Sequence, residues 1–193
     1  MINAYQIVLP QKPSKSESYA AKELQKYMQR TLQKSFSIIK EDEMMSSDCC
    51  YISIGKTKLA SDLNTENLNL DGFRIKTQGK TVLIKGQRDS GTLFGVYEFV
   101  ERFLGVKFLT ADFEYVPRKF DFELGEIDVV EIPSFETRFY HSYTAKVSQD
   151  GTVRMRLSPS NFYGEESLKE KFGGAGFEHI LTVPSWLTFA VYE

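Results

Sequence analysis

Carboxylates, cysteines, histidines and glycines are the residues of this chain whose types could do chemistry, and their spacing decides how much. An acid and base pair needs two carboxyl groups separated across the reacting bond. Glu165 and Glu166 are adjacent in a polar stretch, which is a poor arrangement for that work, and Glu136 and Glu178 fare little better. No residue is therefore assigned a catalytic role. The two cysteines, Cys49 and Cys50, are neighbours. Neighbouring cysteines rarely bridge, because the disulfide strains the peptide between them, so Cys50 is expected to point into a core from the start of a strand. With only His141 and His179, and neither C-x-x-C nor H-E-x-x-H, the sequence builds no recognisable zinc site. No metal or cofactor is expected. The glycines at 91, 95 and 105 match neither G-x-G-x-x-G nor a phosphate loop. Gly91 and Gly95 read as a small-residue edge on a helix, favouring close helix-on-sheet packing over a ligand cradle.

The elements that must position these residues follow from patterning. The chain has 193 residues, enough for one domain or one domain plus a fragment. Its 41% hydrophobic content is enough to bury a core, and fifteen Phe and ten Tyr suit strands and aromatic-lined surfaces. A net charge of −2 leaves no basic footprint for nucleic acid. No apolar run approaches the ~20 residues of a membrane span. MINAYQIVLP is too short in its apolar run for a signal peptide.

Tyr5 to Leu9 reads as a strand stopped by Pro10 and Pro13. Ser14 and Glu17 have capping-box spacing at the start of a helix. Ala20, Leu24, Tyr27, Met28 and Thr31 fall on its apolar face, with Lys22, Glu23, Lys26 and Arg30 on the other. Phe36 to Ile39 is a strand candidate, Glu41 to Asp48 an acidic solvated loop, and Tyr51 to Ile54 a strand ending at Gly55. Thr57 to Leu63 suits a short helix. Phe73, Ile75 and Thr77 alternate with Arg74 and Lys76, turn at Gln78, Gly79 and Lys80, and return through Val82 and Ile84 as a hairpin. Asp89 or Ser90 would cap a second helix. Leu93, Val96, Tyr97, Val100 and Leu104 form its buried stripe, Phe94 and Phe103 flank it, and Gly105 is its left-handed stop. Val106 to Leu109, Glu114 to Val116 and Glu126 to Val130 are short strands.

Two amphipathic helices and about seven strands suit an α+β domain: one mixed β-sheet with the two main helices packed on one face. Ile132-Pro133 is the expected boundary, giving a first domain over 1–131 and a remainder over 132–193. In the remainder, Phe135 to Tyr143 suits one strand, Val147 to Tyr163 is polar and turn-rich, and Ser167 to Phe172 suits a helical turn. About 60 residues with one good strand and no long helix make a poor autonomous domain.

DGFRIKTQGKTVLIKGQ (71–87) followed by RDSGTLFGVYEFVERFLGVKFLTADFEYVP (88–117) resembles the N-terminal domain found ahead of the catalytic barrel in α-glucuronidases and β-N-acetylhexosaminidases. IVLP, YAAKELQKYM and YISIG match the same domain in the same order, so the likeness covers about residues 4 to 131. It is strongest to proteins of Bacteroides-type bacteria in which such a domain precedes a glycosidase-like barrel. The resemblance implies fold more than activity, because the domain accompanies several glycosidase classes. It implies that PSFETRFY is the first barrel strand, that RMRLSPS is the segment after it, and that GGAGFEHIL is a glycine-rich loop. In such enzymes early barrel loops contribute sugar contacts, so Arg138 and His179 are carried over as substrate-binding candidates. A complete barrel takes about 250 residues. Glycoside hydrolysis needs two carboxylates about 5 to 9.5 Å apart, which in the family lie on later strands.

The expected function is a non-catalytic accessory domain of a carbohydrate-active enzyme, followed by a fragment of a β/α barrel. Its partners would be a glycan or the missing barrel, and the resemblance implies a periplasmic or extracellular setting. Two other readings stay open. One is a carbohydrate-binding module using Tyr140, Tyr143, Phe162 and Tyr163. The other is a structural domain that self-associates through the apolar tail Val183 to Tyr192.

Overall fold

A computed structural model describes residues 5–44, 49–120, 122–135, 138, 148–157 and 170–173. In chain order the elements are β1 (Tyr5–Leu9), α1 (Lys15–Leu32), β2 (Ile38–Lys40), β3 (Cys50–Ile54), β4 (Phe73–Gln78), β5 (Thr81–Gly86), α2 (Asp89–Phe99), β6 (Lys107–Phe108), β7 (Glu114–Tyr115), β8 (Asp128–Glu131) and α3 (Gln149–Arg154). Six strands form one mixed sheet in the order β2-β1-β3-β5-β4-β8. β2, β1, β3 and β5 are parallel neighbours, while β4 pairs antiparallel with both β5 and β8. The α+β reading with one mixed sheet and two main helices on one face therefore holds.

Patterning explains the placement. β1 and β3 read as near-continuous apolar runs, YQIVL and CYISI, because both sheet faces are covered where they lie. β4, nearer the edge, alternates as FRIKTQ, with Phe73 and Ile75 turned to the core. The hairpin turns at Gly79 with φ +60°, the first central position at which a two-residue turn takes glycine. On the helix side, Ile7, Ile52, Ile54, Ile75 and Ile84 share one core with Leu24, Tyr27 and Met28 of α1 and Leu93, Val96 and Tyr97 of α2. Cys50 is buried in the same core. The opposite face carries a smaller cluster of Ala60, Leu63 and Leu83. There Lys85 donates to the carbonyls of Ala60 and Leu63 at 2.9 and 3.0 Å, and desolvation lowers its pKa.

The α1 capping box forms as expected. The Ser14 hydroxyl accepts from Glu17 N–H at 3.0 Å, and the Glu17 carboxylate accepts from Ser14 N–H at 2.9 Å. The second Glu17 oxygen accepts from Lys56 N–H at 2.9 Å, tying the helix start to the end of β3. Gly95 packs flat on the sheet, since a methyl group there would lie 2.9 Å from Ile84 and 3.2 Å from Phe73. A methyl group at Gly91 would overlap the Gly72 carbonyl oxygen, so this edge serves close approach, as its small residues indicated.

Several expectations need correction. α2 is not capped by Asp89 or Ser90: Arg88 holds the cap position without a side-chain bond, and the Ser90 hydroxyl donates instead to buried Asp71 at 2.8 Å. Phe94 is buried, not flanking, because α2 is enclosed on nearly every side, which blurs its amphipathic stripe. The helix ends in a π-helical turn, Val100–Leu104, stopped by Gly105 at φ +79°. Only a single 3-10 turn, Lys58–Ala60, forms within the helix expected over 57–63. β6 and β7 pair with each other as a separate ribbon. The polar stretch after Val147 contains α3, capped by the Ser148 hydroxyl accepting from Gly151 N–H.

Candidate functional site

Among the described residues, the sequence-derived candidate Arg138 lies in a network of ion pairs and hydrogen bonds beside α3. Arg138 donates from all three guanidinium nitrogens. Its Nη2 reaches Asp71 Oδ2 at 3.0 Å, its Nη1 the Phe135 carbonyl at 2.7 Å, and its Nε the Arg156 carbonyl at 2.9 Å. The guanidinium also lies 5.4 Å from the centre of the Phe94 ring. Asp71, held from its other oxygen by Ser90, is the acceptor that α2 and the β4 entry present to it.

Arg156 is the pivot of this group. Its backbone is left-handed at φ +57°, a region uncommon outside glycine. That turn aims its carbonyl at Arg138 and its side chain at α2 and the π-helical turn, where Nη1 lies 2.9 Å from Glu98 and 2.8 Å from Glu101. Glu98 also pairs with Arg102 at 2.9 Å, and Arg102 with Glu131 at 3.3 Å. Asp71, Glu98, Glu131, Arg138 and Arg156 line a cleft of about 410 Å³ whose apolar walls include Phe73, Phe94, Pro133 and Leu157. Its three carboxylates, Asp71, Glu98 and Glu131, each already lie within ion-pair distance of an arginine. The arrangement is suited to fixing one chain segment against another.

A second arginine does the same on α1. Arg154, the last residue of α3, donates through Nε to Glu23 at 2.8 Å and through Nη2 at 3.4 Å. Tyr97 donates to the same Glu23 oxygen as Nε, at 3.2 Å. The Arg154 and Glu23 side chains are 20% and 8% exposed, so the pair is well inside the fold. Burial works against the charge of Arg154, but the hydrogen bonds and charge of Glu23 outweigh it and hold the guanidinium pKa above its ordinary range. Burial likewise raises the hydroxyl pKa of Tyr19 and Tyr97, with Glu23 adding to both.

Assigning Glu23 to the wet face of α1 was wrong. It lies between Ala20 and Tyr27 at spacings of three and four, turned toward Tyr97 and Arg154. Nothing in the sequence named Asp71, Arg154 or Arg156 as partners. The Ala20-Glu23-Tyr27 spacing was the one available signal. His179 lies outside the described residues, as do Glu136, Tyr140, Tyr143, Phe162, Tyr163, Glu165, Glu166, Glu178 and the tail 183–192. Among the described residues no cluster of His, Cys, Asp and Glu could hold a metal ion. No helix among them is long and apolar enough to cross a membrane.

Known proteins give this geometry its context. Residues 3–99 match the family model described as the glycosyl hydrolase family 67 N-terminus. No curated protein matches the chain. Among solved structures, the chain is similar to a family GH115 4-O-methyl-α-glucuronidase with specificity for decorated arabinogalactans. The TM-score is 0.62 at 14% identity, over 90% of this chain and 28% of that one. A GH138 enzyme targeting pectin rhamnogalacturonan II matches at a TM-score of 0.44 and 16% identity, over 69% of this chain and 16% of that one. The chain thus spans less than a third of either solved relative. With half its length matched, the chain belongs to the family of the glycosyl hydrolase family 67 N-terminus.

Proposed function

We propose that this chain is the non-catalytic N-terminal accessory domain of a glycoside hydrolase, joined from about residue 132 to the first elements of a β/α barrel. Its work is mechanical: it holds the entry into the barrel in a fixed orientation. One observation carries this reading. Every described arginine beyond Pro133, at 138, 154 and 156, is paired with a carboxylate of the first domain, respectively Asp71, Glu23 and the Glu98–Glu101 pair. The Arg138 and Arg154 pairs are hydrogen-bonded and so directional, fixing a register that apolar contact alone leaves loose. Arg156 lies within ion-pair distance of its two carboxylates without a hydrogen bond from Nη1. Membership of a glycosyl hydrolase N-terminal family supports a glycan context. The proposed partner of the domain is a catalytic barrel, and the proposed setting is periplasmic or extracellular. The test is a hydrolase assay. The purified chain should release no sugar from aryl glycosides or oligosaccharides, and release above a heat-denatured control would overturn the reading.

A second reading, direct glycan binding, is favoured by exposed aromatics. Tyr115 of β7 and Phe113 just before it are 55% and 63% exposed, and Phe120 is 88% exposed nearby in sequence. Aromatic faces of this kind can stack on the apolar faces of sugar rings. Calorimetric titration with xylo-, cello- and chito-oligosaccharides should then show binding that Phe113→Ala weakens. No heat with any of them would end this reading. The same titration with Arg138→Lys and His179→Ala tests those two positions as sugar contacts.

A further inference from the structure

We propose that residues 148–157 and 170–173 belong to the folding unit of the first domain, so that this domain carries the entry into the barrel as part of its own core. This places the unit's end at about Phe172, well past the proline at 133 and the matched family region. It rests on the accessory reading only in calling that entry barrel-bound.

Four independent features carry the inference. First, Val153 and Phe172 are fully buried, and both sit in the same core as α1, α2 and the sheet. The Phe172 ring meets Tyr19 of α1 edge-on at 5.8 Å. Second, α3 has six residues, too few to be helical without tertiary support. That support is visible: the Ser148 hydroxyl donates to the Ala111 carbonyl at 3.0 Å, and a methyl group at Gly151 would overlap that same carbonyl. Third, Gly173, left-handed at φ +67°, lies against the backbone of Asp89 and Ser90 at the start of α2, where a side chain would overlap them. Fourth, without α3 the buried Glu23 would lose both Arg154 bonds and, among the described residues, keep Tyr97 and Lys26. A carboxylate stripped of its main cation inside a fold is strongly unfavourable. The first domain is therefore incomplete in packing and in charge until these residues are in place.

Native-state hydrogen exchange of the purified 193-residue protein, followed with rising denaturant, tests this directly. The helix amides Thr152 and Met155, which donate to Ser148 and Gly151, report on α3. The amides of Leu24 and Met28 report on α1. If the two segments share one cooperative unit, they open together, and their protection factors agree within about 100-fold. Faster exchange of the α3 amides by more than that margin would overturn the proposal. A variant adds a second reading. In Val153→Ala the protection of α1 and α3 should fall by the same factor, and unchanged α1 protection would overturn it equally. Neither outcome depends on the sugar-release assay, so this inference and the accessory reading can fail separately.

Discussion

Leu24, Tyr27 and Met28 of α1, Leu93 and Val96 of α2, and Ile7, Ile52, Ile75 and Ile84 of the sheet make one interface from side chains that carry no net charge. The contact between that body and residues 138 and 148–157 uses buried Val153 as well, but it also places Arg138, Arg154 and Arg156 on Asp71, Glu23, Glu98 and Glu101. The difference teaches what each interface is for. Apolar burial stabilises in proportion to area and tolerates small shifts. A partly buried ion pair adds little net stability, because desolvation offsets attraction, yet breaking it leaves one charge uncompensated. The first interface sets how stable the domain is. The second ties residues 138 and 148–157 to that body at defined carboxylates.

Substitutions can break or sharpen that contrast. Ile52→Ala, at a fully buried position on the central strand, should cost about 4 kcal/mol in a denaturant melt, through lost burial and the cavity left behind. Arg154→Ala should cost about 3 kcal/mol, because Glu23 stays buried without its main partner. A cost near zero would mean that water reaches Glu23 and that the joint is ornamental. Gly91→Ala should cost about 2 kcal/mol, since its methyl group meets the Gly72 carbonyl and α2 must lift from the β4 entry.

The acid limb of the stability curve reads a third charged contact. Glu114 on the ribbon accepts from Tyr27 at 2.5 Å and pairs with Arg30. Burial pushes its pKa up, but the hydrogen bonds from Tyr27 and Arg30 outweigh that and bring it below the ordinary 4.5. A folded pKa below the unfolded one stabilises fully above about pH 4.5, and the contribution is lost as pH falls through the depressed value. Tyr27→Phe should flatten the acid limb in pH-dependent melts below that point. An unchanged limb would show that Glu114 does not contribute. The smallest effect belongs to Arg74→Ala. Its bond to exposed Asp128 at 2.8 Å is well formed, yet solvent screens such surface pairs, so a denaturant melt should barely move.

The fold was more legible than the joint, for a physical reason. Helix α1, the β4–β5 hairpin and the stop at Gly105 rest on local signals, namely a capping box, alternation and a left-handed glycine, each complete within a few residues. α2 was harder at its start because Ser90 turned from the helix cap to Asp71, a partner 19 residues away. The joint rests on pairs 67 and 131 residues apart in sequence. No local pattern marks such pairs, so Arg138 could be flagged from resemblance alone and Arg154 not at all. Glu23 was misplaced because a glutamate on a helix is usually wet. Only the approach of Tyr97 and Arg154 makes this one an interior residue.

A double-mutant cycle on Glu23 and Arg154, using Glu23→Gln, Arg154→Met and both together in the full chain, tests the directional joint most directly. A structural joint predicts that each single change destabilises and that the pair is coupled by at least about 2 kcal/mol. A coupling below about 0.5 kcal/mol would contradict the account, leaving α3 held by buried Val153 and the Ser148 bond to Ala111 without a contribution from this pair.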